Sequence, residues 1–204
     1  MEFQDVVRRR RMVRNYDPER PMPPELLERI LNNAIRAPSA GFSQGWGFLV
    51  LDRRADVDRF WAAASPEDGV KHGWLAGMRR APVIVVPHAN KTAYLDRYAE
   101  SDKGWTDRDE ARWPVPYWDI DTGFAALLML LTAVDSDLAA CFFGIMPERT
   151  EPYRREFGVP PEFHPIGAIT IGYPADDVRS PSLRRGRRGL SEVVHRGAWR
   201  RSPG

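Results

Sequence analysis

Five arginines stand at positions 8 to 11 and 14, and eight more lie between residues 179 and 204. A guanidinium is planar, permanently charged and carries paired N–H donors that match a phosphate or a carboxylate. Two such clusters far apart in sequence suit one small anion gripped from two sides; the rival chemistry is a basic tract lying along nucleic acid. Other catalytic signatures are absent. The sequence has no GxxxxGK[ST], GxSxG, HExxH or paired CxxC, and His72, His88, His164 and His195 are too scattered for a metal cluster. The two glycines of "GWGFLV" enter a strand, which is not a dinucleotide fingerprint.

The charge is distributed unevenly. Residues 1–20 carry six arginines and four acids, residues 179–204 carry eight arginines and only Glu192, and residues 21–178 carry 16 bases and 23 acids. The net +2 therefore hides basic ends around an acidic middle, which argues against a uniform nucleic-acid surface and asks whether the ends meet around something negative.

The elements that must position these arginines follow from periodicity. Phe3, Val6 and Val7 make a short amphipathic helix, and on a regular helix Arg10 and Arg11 continue its buried stripe while Arg8 and Arg9 fall on a solvated flank. An arginine aimed at the core must meet an anion or carboxylate. A helix is predicted from Pro24 to Arg36, with Leu26, Leu27, Ile30, Leu31 and Ala34 on one face and Pro38 ending it. "GWGFLVLD" reads as a strand, "ADVDRFWAAA" as a helix and "APVIVVPHA" as a buried strand. Residues 90–118 show no clean period and form a long, partly helical excursion of the kind that covers a site. An apolar helix over about 119–134, the strand "LAACFFGI", a helix from Pro147 to Gly158 and the strand "HPIGAITIGYP" follow. This order implies one α+β domain over residues 1–204, three layers around a central mixed, mainly antiparallel sheet.

No leader-like charged and apolar start is present, and the run "GFAALLMLLTAV" is shorter than the roughly 20 residues of a membrane span, so it reads as a core helix. The single Cys141 rules out an internal disulfide and fits a reducing cytoplasm; by default it is a small buried hydrophobe.

Three stretches in the correct order resemble one family. "RRRRMVRNYD" is similar to the N-terminal RRSxRxF/Y signature of the FMN-dependent nitroreductases. "RAPSAGFSQGWGFLVL" is similar to their APSxxNxQPWxF stretch, and "DTGFAALLMLLTAVDSDLAACFFGI" with "RRGRRGLSEVVHRGAW" resembles their central helix, glycine strand and C-terminal tail.

The resemblance implies a nitroreductase-like homodimer with FMN at the interface, and an oxidoreductase taking electrons from NADH or NADPH and passing them, ping-pong, to a small acceptor such as a nitroaromatic or quinone. Arg10, Arg11 and Met12 with Arg185 and Arg187 fall at the phosphate, and Arg14 at the pyrimidine end of the flavin. Pro38, Ser39, Ala40 and Gln44 line the flavin, from the partner subunit, and Phe142, Phe143 and Gly144 pass beside the ring. No side chain is catalytic, because flavin N5 carries the chemistry. Trp105, Trp113, Tyr117 and Trp118 would shape the acceptor pocket. Met12 stands where the family commonly has Ser, Phe42 where it has Asn, and Gly45 where it has Pro. A flavin-cleaving branch shares the Phe but carries an Asp at the Met12 position, so that activity is not expected here. The alternatives are a flavin dehydrogenase or dehalogenase on one specific substrate, or a non-catalytic basic nucleic-acid-binding protein. Neither nucleic acid nor membrane is expected as a partner.

Overall fold

The computed structural model describes residues 1–65, 73–178 and 180–199. His72, Arg179, Arg200 and Arg201 lie outside them. Strand β2 (Val83–Asn90) is the spine. Its register runs antiparallel to β1 (Trp46–Leu51) on one side and to β5 (Ala168–Gly172) and then β4 (Phe163–Pro165) on the other. Strand β3 (Ala139–Phe143) adds antiparallel to β5, giving the order β1-β2-β5-β3 with β4 off β2.

Alternation along these strands builds two cores. Val83 and Val85 of β2, with Ile169 and Ile171 of β5, face helices α2 (Pro24–Ala34) and α6 (Tyr117–Asp135). Ile84 and Val86, with Cys141, face α3 (Arg54–Ala64) and α7 (Pro147–Phe157). Each fully buried Val or Ile is worth about 1.5–3 kcal/mol, so the two-sided burial of β2 accounts for its apolar run. Helices therefore flank the sheet on both faces, in three layers. α6 has the length and apolarity of a membrane span. Even so, Ala125, Ala126, Met129, Leu130 and Ala133 pack on the sheet.

Two expectations need correction. Helix α1 covers Phe3–Arg9 and stops: Arg10 turns out of helical geometry, the Val13 N–H reaches the Ala140 carbonyl at 3.1 Å, and Met12 bridges Ala140 in parallel. Pairing with β3 thus takes the chain out of the helix, so Arg10 and Arg11 do not extend its stripe, and only Val6 of the three apolar residues is buried. "HPIGAITIGYP" is two strands, because Gly167 adopts a positive φ of 155° between them. Every named strand pair is antiparallel; among the described residues the parallel contact is the Met12 bridge. Two further helices, α4 (Gly73–Met78) and α5 (Lys91–Ala99), and the short C-terminal α8 (Leu190–Val193) complete the set.

Candidate functional site

Tyr16 sets the N-terminal segment in place. Its side chain is fully buried, and its hydroxyl donates to the Val13 carbonyl at 2.9 Å and meets Thr170 Oγ1 at 2.9 Å, which burial and apolar surroundings alone would not allow. Residues 10–14 are thereby held along the edge of β3, and the arginines sort into two groups. Arg8 pairs with Asp5, Arg9 with Asp137 at 3.3 Å, and Arg11 with Asp177 at 2.8 Å. Arg10, Arg14, Arg185 and Arg187 have no ion-pair partner among the described residues.

Two clefts receive three of these four. One, of about 790 Å³, is lined by Arg8 to Arg11, Val13, Leu138 and, from the other end of the chain, Arg187. The basic ends do meet, although Arg185 is not among the lining residues. The second, of about 660 Å³, is lined by Arg14, Asn15, Arg80 and Phe143, and walled by Asp176, Asp177 and Ser180. The Arg11–Asp177 pair joins a residue of the first cleft to one of the second. Asn15 fastens the wall, donating to the Asp176 carbonyl at 2.7 Å.

Phe143 stacks on Trp61, with centroids 5.5 Å apart and planes 11° from parallel. Phe142 points to the opposite core. A Cβ at Gly144 would meet nothing within 4 Å, so the chain itself leaves that approach open. Met12 is turned into the fold: its sulfur accepts the Phe142 N–H at 3.3 Å, which gives this Ser-to-Met departure a structural use. Cys141 is buried, and that burial pushes its thiol up to about 11, so it is inert. No group of three or more His, Cys, Asp or Glu among the described residues is placed to hold a metal.

Pro38, Ser39, Ala40 and Gln44 lie elsewhere, in the turn between α2 and β1, and line neither arginine cleft. This turn is dense in left-handed backbone: Gly41 (φ 61°), Phe42 (φ 56°) and Gln44 (φ 49°). Internal bonds close it, the Gln44 N–H to Ser39 Oγ at 3.0 Å and Ser43 Oγ to the Ala40 carbonyl at 2.7 Å. Gly45 is glycine because a Cβ there would fall 2.6 Å from the Tyr94 ring. The aromatics of the excursion pack on one another: Trp113 contacts Tyr94, Tyr98, Trp105, Tyr117 and Trp118 with centroids 4.5–6.1 Å apart.

A family model described as the nitroreductase family matches residues 7–173. The chain belongs to the nitroreductase family. Among this nitroreductase-family chain's relatives is a candidate NADH dehydrogenase/NAD(P)H nitroreductase of Methanothermobacter thermautotrophicus, 28% identical over 179 residues, 87% of this chain and 80% of the relative. In fold it is similar to a nitroreductase family protein of Clostridium difficile (TM-score 0.71, 23% identity, 98% of this chain and 100% of the other). It is likewise similar to a nitroreductase candidate of Desulfovibrio desulfuricans solved in complex with FMN (TM-score 0.71, 23% identity, 98% and 99% covered).

Sequence reasoning passed over Arg80, Asp176, Asp177 and Asp121. Arg80 follows α4, and no sequence pattern joins it to Arg14. Asp121 had a usable signal, a carboxylate one turn before the apolar run of α6. It is buried.

Proposed function

We propose that this nitroreductase-family chain is an FMN-dependent NAD(P)H oxidoreductase, working as a homodimer, that passes electrons from NADH or NADPH to a small acceptor such as a nitroaromatic or quinone in two successive half-reactions. The sorting of the arginines carries this reading. A fold that leaves Arg10 and Arg187 lining one cleft without a carboxylate partner among the described residues, while Arg8, Arg9 and Arg11 each have one, holds donors suited to a small dianion. Arg10 and Arg187 would hold the FMN phosphate. Arg14 and Arg80 would offer donors to negative charge on a group bound beside Phe143, with Asp177 of the same wall engaged by Arg11 and Asp176 opposing them. Bound FMN supplies the two-electron carrier between nucleotide and acceptor. No side chain is assigned as acid or base.

The homodimer has its own support. Ile120, Phe124 and Leu127 form an exposed apolar stripe on α6, and Ile35 and Phe42 are exposed as well. The 38–44 turn lies away from both arginine clefts. Pairing two copies through this stripe would bury it and let the turn of one chain complete the clefts of the other. Nucleic acid and membrane have no part in the reading, and the single cysteine suits a reducing cytoplasm.

The test is reconstitution with FMN, desalting, and anaerobic addition of NADH or NADPH. Retained yellow colour that bleaches with a nucleotide is expected. A colourless protein overturns the reading, and a yellow one reduced by neither nucleotide points to a flavin enzyme with one specific substrate.

A further inference from the structure

Phe42 and Gln44 carry side chains that disfavour the left-handed backbone they adopt. Phe42 is 74% exposed and Gln44 is exposed, so their own packing does not hold them there. Backbone of this kind persists only where its surroundings over-determine it, and it collects at ligand sites. The surroundings here are specific. Asp121 on α6 is 3% exposed and has no cation partner among the described residues. One of its oxygens, Oδ2, accepts both the Ala40 N–H at 2.8 Å and the Tyr94 O–H at 2.8 Å. Tyr94 is itself fully buried, edge-on to Trp113 and Trp118. From the outer side Arg97 of α5 donates Nε to the Gly41 carbonyl at 2.9 Å, its terminal nitrogens held by Asp102 at 2.6 and 2.8 Å. At the far end the Asn90 N–H reaches the Gly45 carbonyl at 2.7 Å.

A buried carboxylate with no cation is a costly way to close a surface turn, since an apolar residue would fill the same space. Its retention makes sense if the turn must be rigid before anything binds, because a preset turn loses less freedom on binding. We propose that Asp121, with Arg97 as an outer tether, is a positioning residue that holds the 39–45 turn preset for its ligand, so that Ser39, Ala40 and Gln44 meet the flavin without rearranging. This rests on the FMN reading above. Burial and the Asp121 carboxylate both push the Tyr94 phenol up, so Tyr94 stays a donor to Asp121 across the working pH range.

The test compares the full-length protein with Asp121→Ala, Asp121→Asn and Arg97→Ala, reading FMN affinity by fluorescence quenching, the visible flavin band and the melting temperature. Asn keeps one oxygen able to accept both bonds, while removing the charge and putting an NH2 in place of the other oxygen. Asp121→Ala is expected to weaken FMN by about tenfold or more and Arg97→Ala by about threefold, with Asp121→Asn restoring affinity to near wild type. A purely stabilising role predicts a lower melting temperature for Asp121→Ala with unchanged FMN affinity in its folded fraction and in Arg97→Ala, and that result overturns the proposal. If Asp121→Ala does not fold, Arg97→Ala decides alone: unchanged affinity there overturns it. Wild-type protein that cannot hold FMN defeats both readings, whereas variants that bind as tightly as a flavin-loaded wild type defeat only this one.

Discussion

The 39–45 turn and the arginine clefts are held in opposite ways. The turn is fixed by part-buried bonds, the Ala40 N–H to Asp121 and Arg97 to the Gly41 carbonyl, and by the exposed Gln44 N–H to Ser39 bond, around backbone that no residue but Gly41 favours. The clefts are walled by half-buried and exposed arginines, with Arg11 40% exposed in its pair with Asp177 and Arg10, Arg14 and Arg187 without an ion-pair partner among the described residues. Hydrogen bonds among buried groups are little affected by salt, while exposed charges are screened beyond about 8 Å at physiological ionic strength. One region therefore supplies shape and the other supplies charge.

The largest expected effect breaks the charged half. Arg10→Ala and Arg187→Ala should each weaken FMN about 10- to 100-fold, since a hydrogen bond to a charged group contributes roughly 1.5–3 kcal/mol. Titrations at low and high salt should show a steeper salt dependence in wild type than in either variant; equal slopes would remove both residues from the phosphate site.

A comparable effect reaches the strand that seats the turn. His88 of β2 lies opposite Gly47 and hydrogen-bonds Tyr153 at 3.0 Å, and burial lowers its pKa to about 4. The folded value lies below the ordinary 6.5, so the neutral form stabilises the fold fully above pH 6.5, and that stability is lost as pH falls toward 4. The loss is on the order of 3 kcal/mol. Denaturant titrations between pH 7 and 4 should show the decline, and His88→Gln should flatten it.

Smaller effects separate the remaining parts. Asp177 is 7% exposed and pairs with Arg11. As an internal competitor for that arginine it should, on changing to Asn, leave FMN bound about threefold tighter, close to 0.7 kcal/mol. Weaker binding would show instead that Asp177 orients Arg11. The smallest effect sharpens the strained half: Phe42→Asn puts a residue that tolerates left-handed backbone at φ 56° and should raise the melting temperature by about 2–4 °C. An unchanged or lower value would mean the conformation carries no strain.

The buried elements were legible where apolar period alone decides them. β2, α2 and α6 run within a few residues of their predicted bounds, because each buries a face whose spacing is written in the chain, and α7 does so because Pro147 starts it and the left-handed Gly158 ends it. α1 was misread because its end depends on a partner: the β3 edge draws Met12 and Val13 out of the helix, and nothing local announces that. The same limit applies to the site. Charge distribution raised the meeting of the two basic ends and the family resemblance named Arg10 and Arg187, but Arg11 could not be assigned to Asp177 across 166 residues, nor Arg80 to Arg14's cleft. Asp121 needed the fold, since its two donors come from different elements.

The central claim is that the two basic ends form one phosphate clamp. Its most direct test is FMN affinity in a double-variant cycle of Arg10→Ala and Arg187→Ala. The account predicts strong coupling, the double variant losing clearly less than the product of the single losses. Fully independent losses, or none, would contradict a shared phosphate.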